Sequence, residues 1–281
     1  MSKNELSYLL LGHLTQDLTP NGYELGGTAA YAGLTALALG NTVRLITSYP
    51  QEVVLSDSPL LSTHNLQSST ATQFKNITTA AARKQYCYSQ AKSLTPDNIP
   101  EEWLHSDIVH FGPVAQEIPS ETITCFPDDA FLCATPQGWL RGWDNEGLVH
   151  PQEWNWAEEA LSRMQAIVLS SEDLPNERNL QDLIRFCDIV AVTEGQAGAY
   201  VYWKGDVRHF PAPNIEVVDT TGAGDIFAAV FFWKLHQTHD PWAAAKSAVL
   251  LASSSVSRKG LASIPTQDEI NQSMVEIIHE K

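Results

Sequence analysis

The chain is short of positive charge: 17 Lys and Arg stand against 33 Asp and Glu in 281 residues, a formal net charge of −16. Such a field argues against nucleic acid and anionic membrane as partners. Cysteine is scarce, with Cys87, Cys125, Cys133 and Cys187 showing no Cys-x-x-Cys spacing. Buried thiols in a reducing cytoplasm account for them better than a disulfide framework. Long apolar runs are missing too; none approaches the roughly 18 residues that span a bilayer. The apolar run at 8–11 is too short for a signal-peptide core, so a cytoplasmic protein is expected. Gly-Lys followed by Ser or Thr occurs nowhere, which excludes a Walker-type phosphate loop. The nine histidines offer no metal set; His236 and His239 read as a polar helix end rather than as ligands. There is no internal repeat, low-complexity tract or charge block.

What is present is a 43% hydrophobic chain, long enough to bury a substantial core in one domain. Short apolar runs alternate with helical patterns. Strands are predicted at 8–11, 43–47, 108–111, 131–134, 166–169 and 189–193, and helices at 28–39, 155–163, 179–186, 222–236, 241–256 and 266–279. That alternation implies an α/β fold, a mostly parallel sheet between helical layers with ligands at the carboxyl ends of its strands. Two segments depart from it. Residues 18–25 contain a Pro-Asn-Gly turn, and 64–92 alternate with period two around Phe74, Ile77, Tyr86 and Tyr88, which predicts strands.

The densest chemical signal is Asp219-Thr220-Thr221-Gly222-Ala223-Gly224-Asp225, preceded by the strand-like Ile215-Glu216-Val217-Val218 and followed by the apolar run 226–233. Two glycines leave no side chains over a helix start, whose first N–H groups have no internal partner and carry the positive end of the helix dipole. Those donors suit a phosphate. Asp225 falls in the first helical turn, where it is expected to stay ionised. A carboxylate beside an anion cradle has an evident task, accepting a proton from a hydroxyl that attacks phosphorus. A dinucleotide fingerprint needs Gly or Ala where Phe227 stands.

The run from Asp219 to Asp225 resembles the C-terminal signature of the PfkB, or ribokinase-like, carbohydrate kinases. A second match lies at Gly12-His13-Leu14-Thr15-Gln16-Asp17 and Leu25-Gly26-Gly27-Thr28-Ala29-Ala30-Tyr31, and the order of segments is similar over nearly the whole chain. The resemblance implies a three-layer α/β/α fold with a small β lid at about 18–25 and 64–92. It implies acceptor contacts from Asp17, Gly26, Gly27, Thr28 and Tyr31, with Asp225 as base and Gly222, Ala223 and Gly224 as the charge-stabilising amides. Thr193-Glu194-Gly195-Gln196-Ala197-Gly198 is similar to a nucleotide loop of the family, so Thr193 and Gly195 join Thr221, Gly222, Gly224 and Gly260 as nucleotide-binding candidates; an ordinary glycine turn is the alternative there.

The family's Asn-x-x-Glu magnesium motif is Ser170-Ser171-Glu172-Asp173 here, leaving Asp173 to position Mg²⁺ through water or to serve as a solvated loop acid. The segment 255–265 resembles the loop that walls the adenine pocket. In members with a monovalent cation, it and the Asp-Thr turn surround the ion. Asp219, Thr221, Ser255, Gly260 and Ser263 are therefore candidates for K⁺.

The ribokinase branch has asparagine where Tyr31 stands, which disfavours a pentose or fructose. Thr135-Pro136-Gln137-Gly138-Trp139-Leu140-Arg141 is similar to inositol-kinase-like members and nominates Gln137 and Arg141 for acceptor contact; an exposed solubilising arginine is the alternative. The expectation is a monomeric or homodimeric, ATP- and Mg²⁺-dependent kinase of a small polyol, a cyclitol such as myo-inositol before an open sugar. A nucleoside kinase and a non-catalytic ligand sensor are the alternatives.

Overall fold

The computed structural model describes residues 6–78, 83–174 and 177–274. A strand with no polar residue in alternation is stable only when both faces are covered. β1 (Ser7–Leu11) is of this kind: Tyr8 and Leu10 enter one core, Leu9 and Leu11 a second on the opposite face. The chain continues through β2 (Thr15–Thr19), β3 (Gly22–Gly26), α1 (Thr28–Ala38), β4 (Thr42–Tyr49), β5 (Leu61–Gln67), β6 (Thr72–Thr78) and β7 (Arg83–Ser89). There follow β8 (Ile108–Phe111), α2 (Glu121–Thr124), β9 (Leu132–Ala134), β10 (Arg141–Trp143), β11 (Val149–Pro151), α3 (Ala157–Leu161) and β12 (Ala166–Ser170). After α4 (Glu177–Phe186) come β13 (Ile189–Thr193), β14 (Ala199–Trp203), β15 (Asp206–Phe210), α5 (Ala223–Thr238), α6 (Pro241–Ser255) and α7 (Gln267–Ser273).

Nine strands form the central sheet in the order β15-β14-β13-β12-β9-β8-β1-β4-β5. From β13 to β5 every pairing is parallel; β14 and β15 add an antiparallel edge. Helices α1, α5 and α6 share one core with the sheet, and α2, α3 and α4 share the other. The fold is therefore the expected three-layer α/β/α. The run Ile226–Trp233 is apolar on all sides and wholly buried, as a helix between sheet and neighbouring helices must be.

A second sheet, β3-β2-β6-β7, stands over the strand ends as a lid. The Pro-Asn-Gly turn closes its β2–β3 hairpin at Thr19↔Gly22, and β2 pairs parallel with β6. The short β10–β11 hairpin extends this cover through the bridge Tyr86↔Leu148.

Three readings of the sequence change, and a fourth is described only in part. The predicted strands of 64–92 begin earlier and divide: 61–67 is the parallel edge of the central sheet beside β4, and the lid starts at Thr72. Alternation reports extended chain and says nothing of which sheet receives it. Residues 79–82 lie outside the described residues. The strand-like 215–218 joins no ladder; Val218 and Asp219 N–H instead donate to the Val256 carbonyl at 2.8 and 3.1 Å. The helix predicted over 155–163 shrinks to Ala157–Leu161, because Trp154 and Trp156 turn their rings onto Trp139 at 4.7 and 5.0 Å. The last helix is described only to Ser273, with the remainder of 266–279 beyond Met274 outside the described residues.

Candidate active site

A cavity of about 870 Å³ opens where the carboxyl ends of the parallel strands meet the lid. Asp225 lies on its floor, in the first turn of α5. The Thr28 hydroxyl, from the start of α1, donates to Asp225 Oδ1 at 2.7 Å, which holds the carboxylate with Oδ2 available to the cavity. Burial raises the Asp225 pKa to about 6, against the lowering effects of the Thr28 hydroxyl and of Arg141; Asp173 and Asp17 push it further up. The helix start alone implied an ordinary, low carboxylate value. Desolvation outweighs it, and the group is poised just below neutrality, still mostly ionised at pH 7.

Gly222 caps α5 in the left-handed conformation, φ 78°. A β-carbon here would come within 2.1 Å of the Tyr31 ring, so glycine is required both by the turn and by that contact. Of the three amides expected to form the anion cradle, Ala223 N–H is occupied by the Thr220 carbonyl at 3.2 Å. Among the described residues no acceptor meets the N–H groups of Gly222, Gly224 and Asp225, so the open donors are these three rather than those of 222–224.

The lid brings side chains to the same cavity. Asp17 on β2, Phe74 and Asn76 on β6, and Gln85 on β7 all face it. Arg141 completes this wall, half-buried in β10. Its guanidinium donates to the Val114 carbonyl through Nε at 2.8 Å and also through Nη2, and to Gln85 Oε1 through Nη1 at 2.8 Å. The same group lies 4.7 Å above the Phe74 ring, a cation–π contact. The Gln85 amide then donates to Asn76 Oδ1 at 3.1 Å. Arg141 is thus a fixed wall element rather than a free solubilising charge.

Gln137 lines the cavity and donates to Asp173 Oδ1 at 3.2 Å, while Asp173 Oδ2 accepts from Ser170 N–H. Burial raises the Asp173 pKa. Tyr31 also lines the cavity, with its phenol pKa raised first by burial and then by Asp219, Asp17 and Asp225. Gly27 lines it and Gly26 does not: a β-carbon on Gly26 would meet Asp17 Oδ2 at 2.6 Å, so that glycine makes room for the Asp17 carboxylate.

The opposite end is apolar and main-chain in character. Thr193, Gly195 and Thr221 are joined there by Val217, Val249, Ala252 and Val256. The loop 194–198 is both a wall of the cavity and a glycine turn between antiparallel strands, closed by Glu194 N–H to the Gly198 carbonyl at 2.8 Å.

Asp219, Ser255, Gly260 and Ser263 lie outside the cavity wall. Asp219 accepts from Thr221 N–H at 2.9 Å and Gly260 N–H at 3.1 Å, so it ties the α5 turn to the loop behind it. The Ser255 hydroxyl is spent on the Ala252 carbonyl. The Ser263 hydroxyl is buried with no hydrogen-bond partner. Arg258 occupies the Ala262 and Ser263 carbonyls and pairs with Glu269.

Sequence reasoning did not name Asn76, Gln85 and Phe74 for the lid-side wall of the cavity, or Val217, Val249 and Val256 for its apolar end. Period-two alternation could have put Phe74 and Asn76 on one lid face; nothing local could have matched them with Arg141.

Residues 169–268 match the description pfkB family carbohydrate kinase, so the resemblance drawn from Asp219–Asp225 is shown. Among curated relatives, a fructokinase of Klebsiella pneumoniae is 32% identical over 133 residues, 42% of this chain and 43% of its own length. An inositol 3-kinase of Zea mays is 33% identical over 162 residues, 53% of this chain and 40% of its own length. The matched segments thus span less than half of each relative. Among solved structures, a pyrophosphate-dependent kinase in the ribokinase family, complexed with a pyrophosphate analog and myo-inositol, superposes with a TM-score of 0.79 at 21% identity, over 95% of this chain and 100% of that one. This likeness shows a ribokinase-family fold.

Proposed function

We infer that this chain, with a pfkB segment at 169–268 on a ribokinase-family fold, is a kinase that moves the γ-phosphoryl group of ATP to a hydroxyl of a small neutral polyol. A cyclitol such as myo-inositol is the preferred acceptor. The observation that carries this reading is the convergence, on one cavity, of the Asp225 carboxylate with the unpaired amides of Gly222 and Gly224.

In the reaction, the acceptor hydroxyl gives its proton to Asp225 Oδ2 as its oxygen bonds to phosphorus and the bond to the ADP oxygen breaks. Thr28 holds the base, and the cradle amides meet the charge on the moving group. Asp17 and the Gly27 backbone orient the acceptor from the lid side, Tyr31 and Gln137 from the floor, and Arg141 through the amide chain of Gln85 and Asn76.

Charge supports a neutral acceptor. Among the described residues the cavity wall carries Asp17, Glu172, Asp173 and Asp225 against one Lys or Arg, Arg141, whose donors already serve Val114 and Gln85. A phosphorylated acceptor would enter a chamber lined by more carboxylates than cations. At the donor end the same scarcity of cations, with the apolar Val217, Val249 and Val256, supports a base-bearing nucleotide over bare pyrophosphate.

Among the described residues no cluster of His, Cys, Asp or Glu can cage a metal. Mg²⁺ would come with the nucleotide phosphates, neutralise their charge, and be reached by Asp173 through water. A monovalent cation is supported by one observation, the buried Ser263 hydroxyl that has no hydrogen-bond partner. Asp219 and the carbonyls of Thr221, Ser255 and Gly260 would complete that set.

The test is ADP release from Mg-ATP with myo-inositol, D-ribose, D-fructose and cytidine, repeated with pyrophosphate as donor and orthophosphate release as the readout. Turnover with myo-inositol and ATP is expected. Turnover of cytidine alone moves the reading to a nucleoside kinase; binding of ATP with no acceptor consumed overturns the enzyme reading.

A further inference from the structure

Among the described residues the chain passes between the body and the four-stranded lid sheet four times: at 12–14, 26–27, 68–72 and 90–93, the third crossing ending on Thr72, the first residue of β6. All four crossings meet at one fully buried residue, His13. It lies in the first crossing. Its carbonyl presses on the second, where a β-carbon on Gly27 would come within 2.4 Å. Its ring reaches the other two: Nδ1 bonds the Thr72 hydroxyl at 2.7 Å and Nε2 bonds the Lys92 carbonyl at 2.8 Å. A carbonyl only accepts, so Nε2 carries a proton, and in the neutral ring Nδ1 takes the Thr72 hydroxyl hydrogen. Thr72 Oγ1 also accepts from Ala91 N–H at 3.0 Å, which joins the third crossing to the fourth.

On the body side this residue rests on Glu117, also fully buried. Its carboxylate accepts from the main-chain N–H groups of His13 at 3.0 Å, Val114 at 3.0 Å and Ala115 at 2.7 Å. The His13 ring stands 3.9 Å from the same carboxylate. Val114 also offers its carbonyl to Arg141, so one buried anion braces both the lid neck and the acceptor wall. None of this is needed for chemistry: neither His13 nor Glu117 lines the cavity. The cost of burying a carboxylate and an imidazole is met by hydrogen bonds directed at the connections themselves.

We propose that His13 and Glu117 are a positioning pair that forms the pivot of the lid, setting where β2 presents Asp17 to an acceptor held over Asp225. Thr72 is the rung through which this works, since it faces Thr15 in the β2–β6 ladder, two residues before Asp17. The catalytic part of this inference rests on the kinase reading; the mechanical part does not.

The test uses Thr72→Val, which keeps shape and removes the hydroxyl, with Thr72→Ser as the conservative control and His13→Asn as a second route that severs the Lys92 link. In the full chain without ligand, peptide-resolved hydrogen exchange should speed up in β2, β6 and β7 of Thr72→Val while β12 and β13 stay as in the parent, and Thr72→Ser should match the parent. With Mg-ATP and myo-inositol, Thr72→Val should raise the acceptor KM about tenfold and leave the ATP KM within about twofold. Lid exchange equal to the parent in both variants, or loosening spread evenly over lid and body, overturns the pivot. If the parent turns over none of the panel acceptors, the kinase reading fails, and the exchange measurement still decides the mechanical claim.

Discussion

The two ends of the cavity are built by different means. The end proposed for the donor is main chain and aliphatic surface: a glycine-capped helix start, the 194–198 turn, and Val217, Val249 and Val256. The end proposed for the acceptor is side chains carried by separate pieces of the chain, with Asp17, Asn76, Gln85 and Arg141 delivered by β2, β6, β7 and β10. A nucleotide polyphosphate is met by backbone dipoles that any sequence with the right glycines supplies. A polyol is met by individually placed hydrogen-bonding groups, and its recognition is correspondingly easier to alter by substitution.

The strongest way to break this division is at the group that belongs to both ends. Asp225→Asn should lower kcat by roughly 10²–10⁴ while the ATP dissociation constant, read by calorimetry, stays close to that of the parent. Near-parental turnover would remove Asp225 as the base. Next, Asp17→Asn should raise the acceptor KM by about 10–100-fold with the ATP KM little changed; equal movement of both constants would erase the separation of the two ends. The complementary change, Val217→Asp, sets a charge in the aliphatic wall proposed to hold the nucleotide base and should raise the ATP KM about tenfold with the acceptor KM unmoved.

The smallest effect is on stability, and its sign opposes that on rate. Since burial raises the Asp225 pKa to about 6 from 3.8, the favourable contribution of its protonated form is present below about pH 4 and lost as pH rises through 6. Log kcat/KM for the acceptor should therefore climb as pH rises to about 6 and level off above it. In chemical denaturation at pH 8, Asp225→Asn should be the more stable protein by about 1–3 kcal/mol. A variant less stable than the parent at that pH would show that the carboxylate is not desolvated.

Much of the scaffold was legible because both kinds of signal are local. Continuous apolar runs at 8–11, 166–169 and 189–193 mark strands buried on two faces, and the glycine-rich turn before 226–233 marks the start of the buried helix. Local patterns failed where a neighbour decided the outcome. Residues 61–67 and 72–78 both have extended character, yet one joins the body and the other the lid. Val217 and Val218 have strand propensity and no strand to pair with; the Val256 carbonyl takes the amides of Val218 and Asp219 instead. The β14–β15 hairpin went unread although Lys204 and Gly205, both at positive φ, close it.

The sequence by itself determined a sheet between helices, a helix start with free amides, and a carboxylate in its first turn, since each follows from contacts between residues a few positions apart. Only the tertiary structure decided how acidic that carboxylate is, that Ala223 N–H is spent, that Arg141 reaches Gln85 from 56 positions away, and that four chain crossings meet at His13. Desolvation and long-range hydrogen bonds depend on what the folded chain brings to a point in space, and no local pattern carries that information.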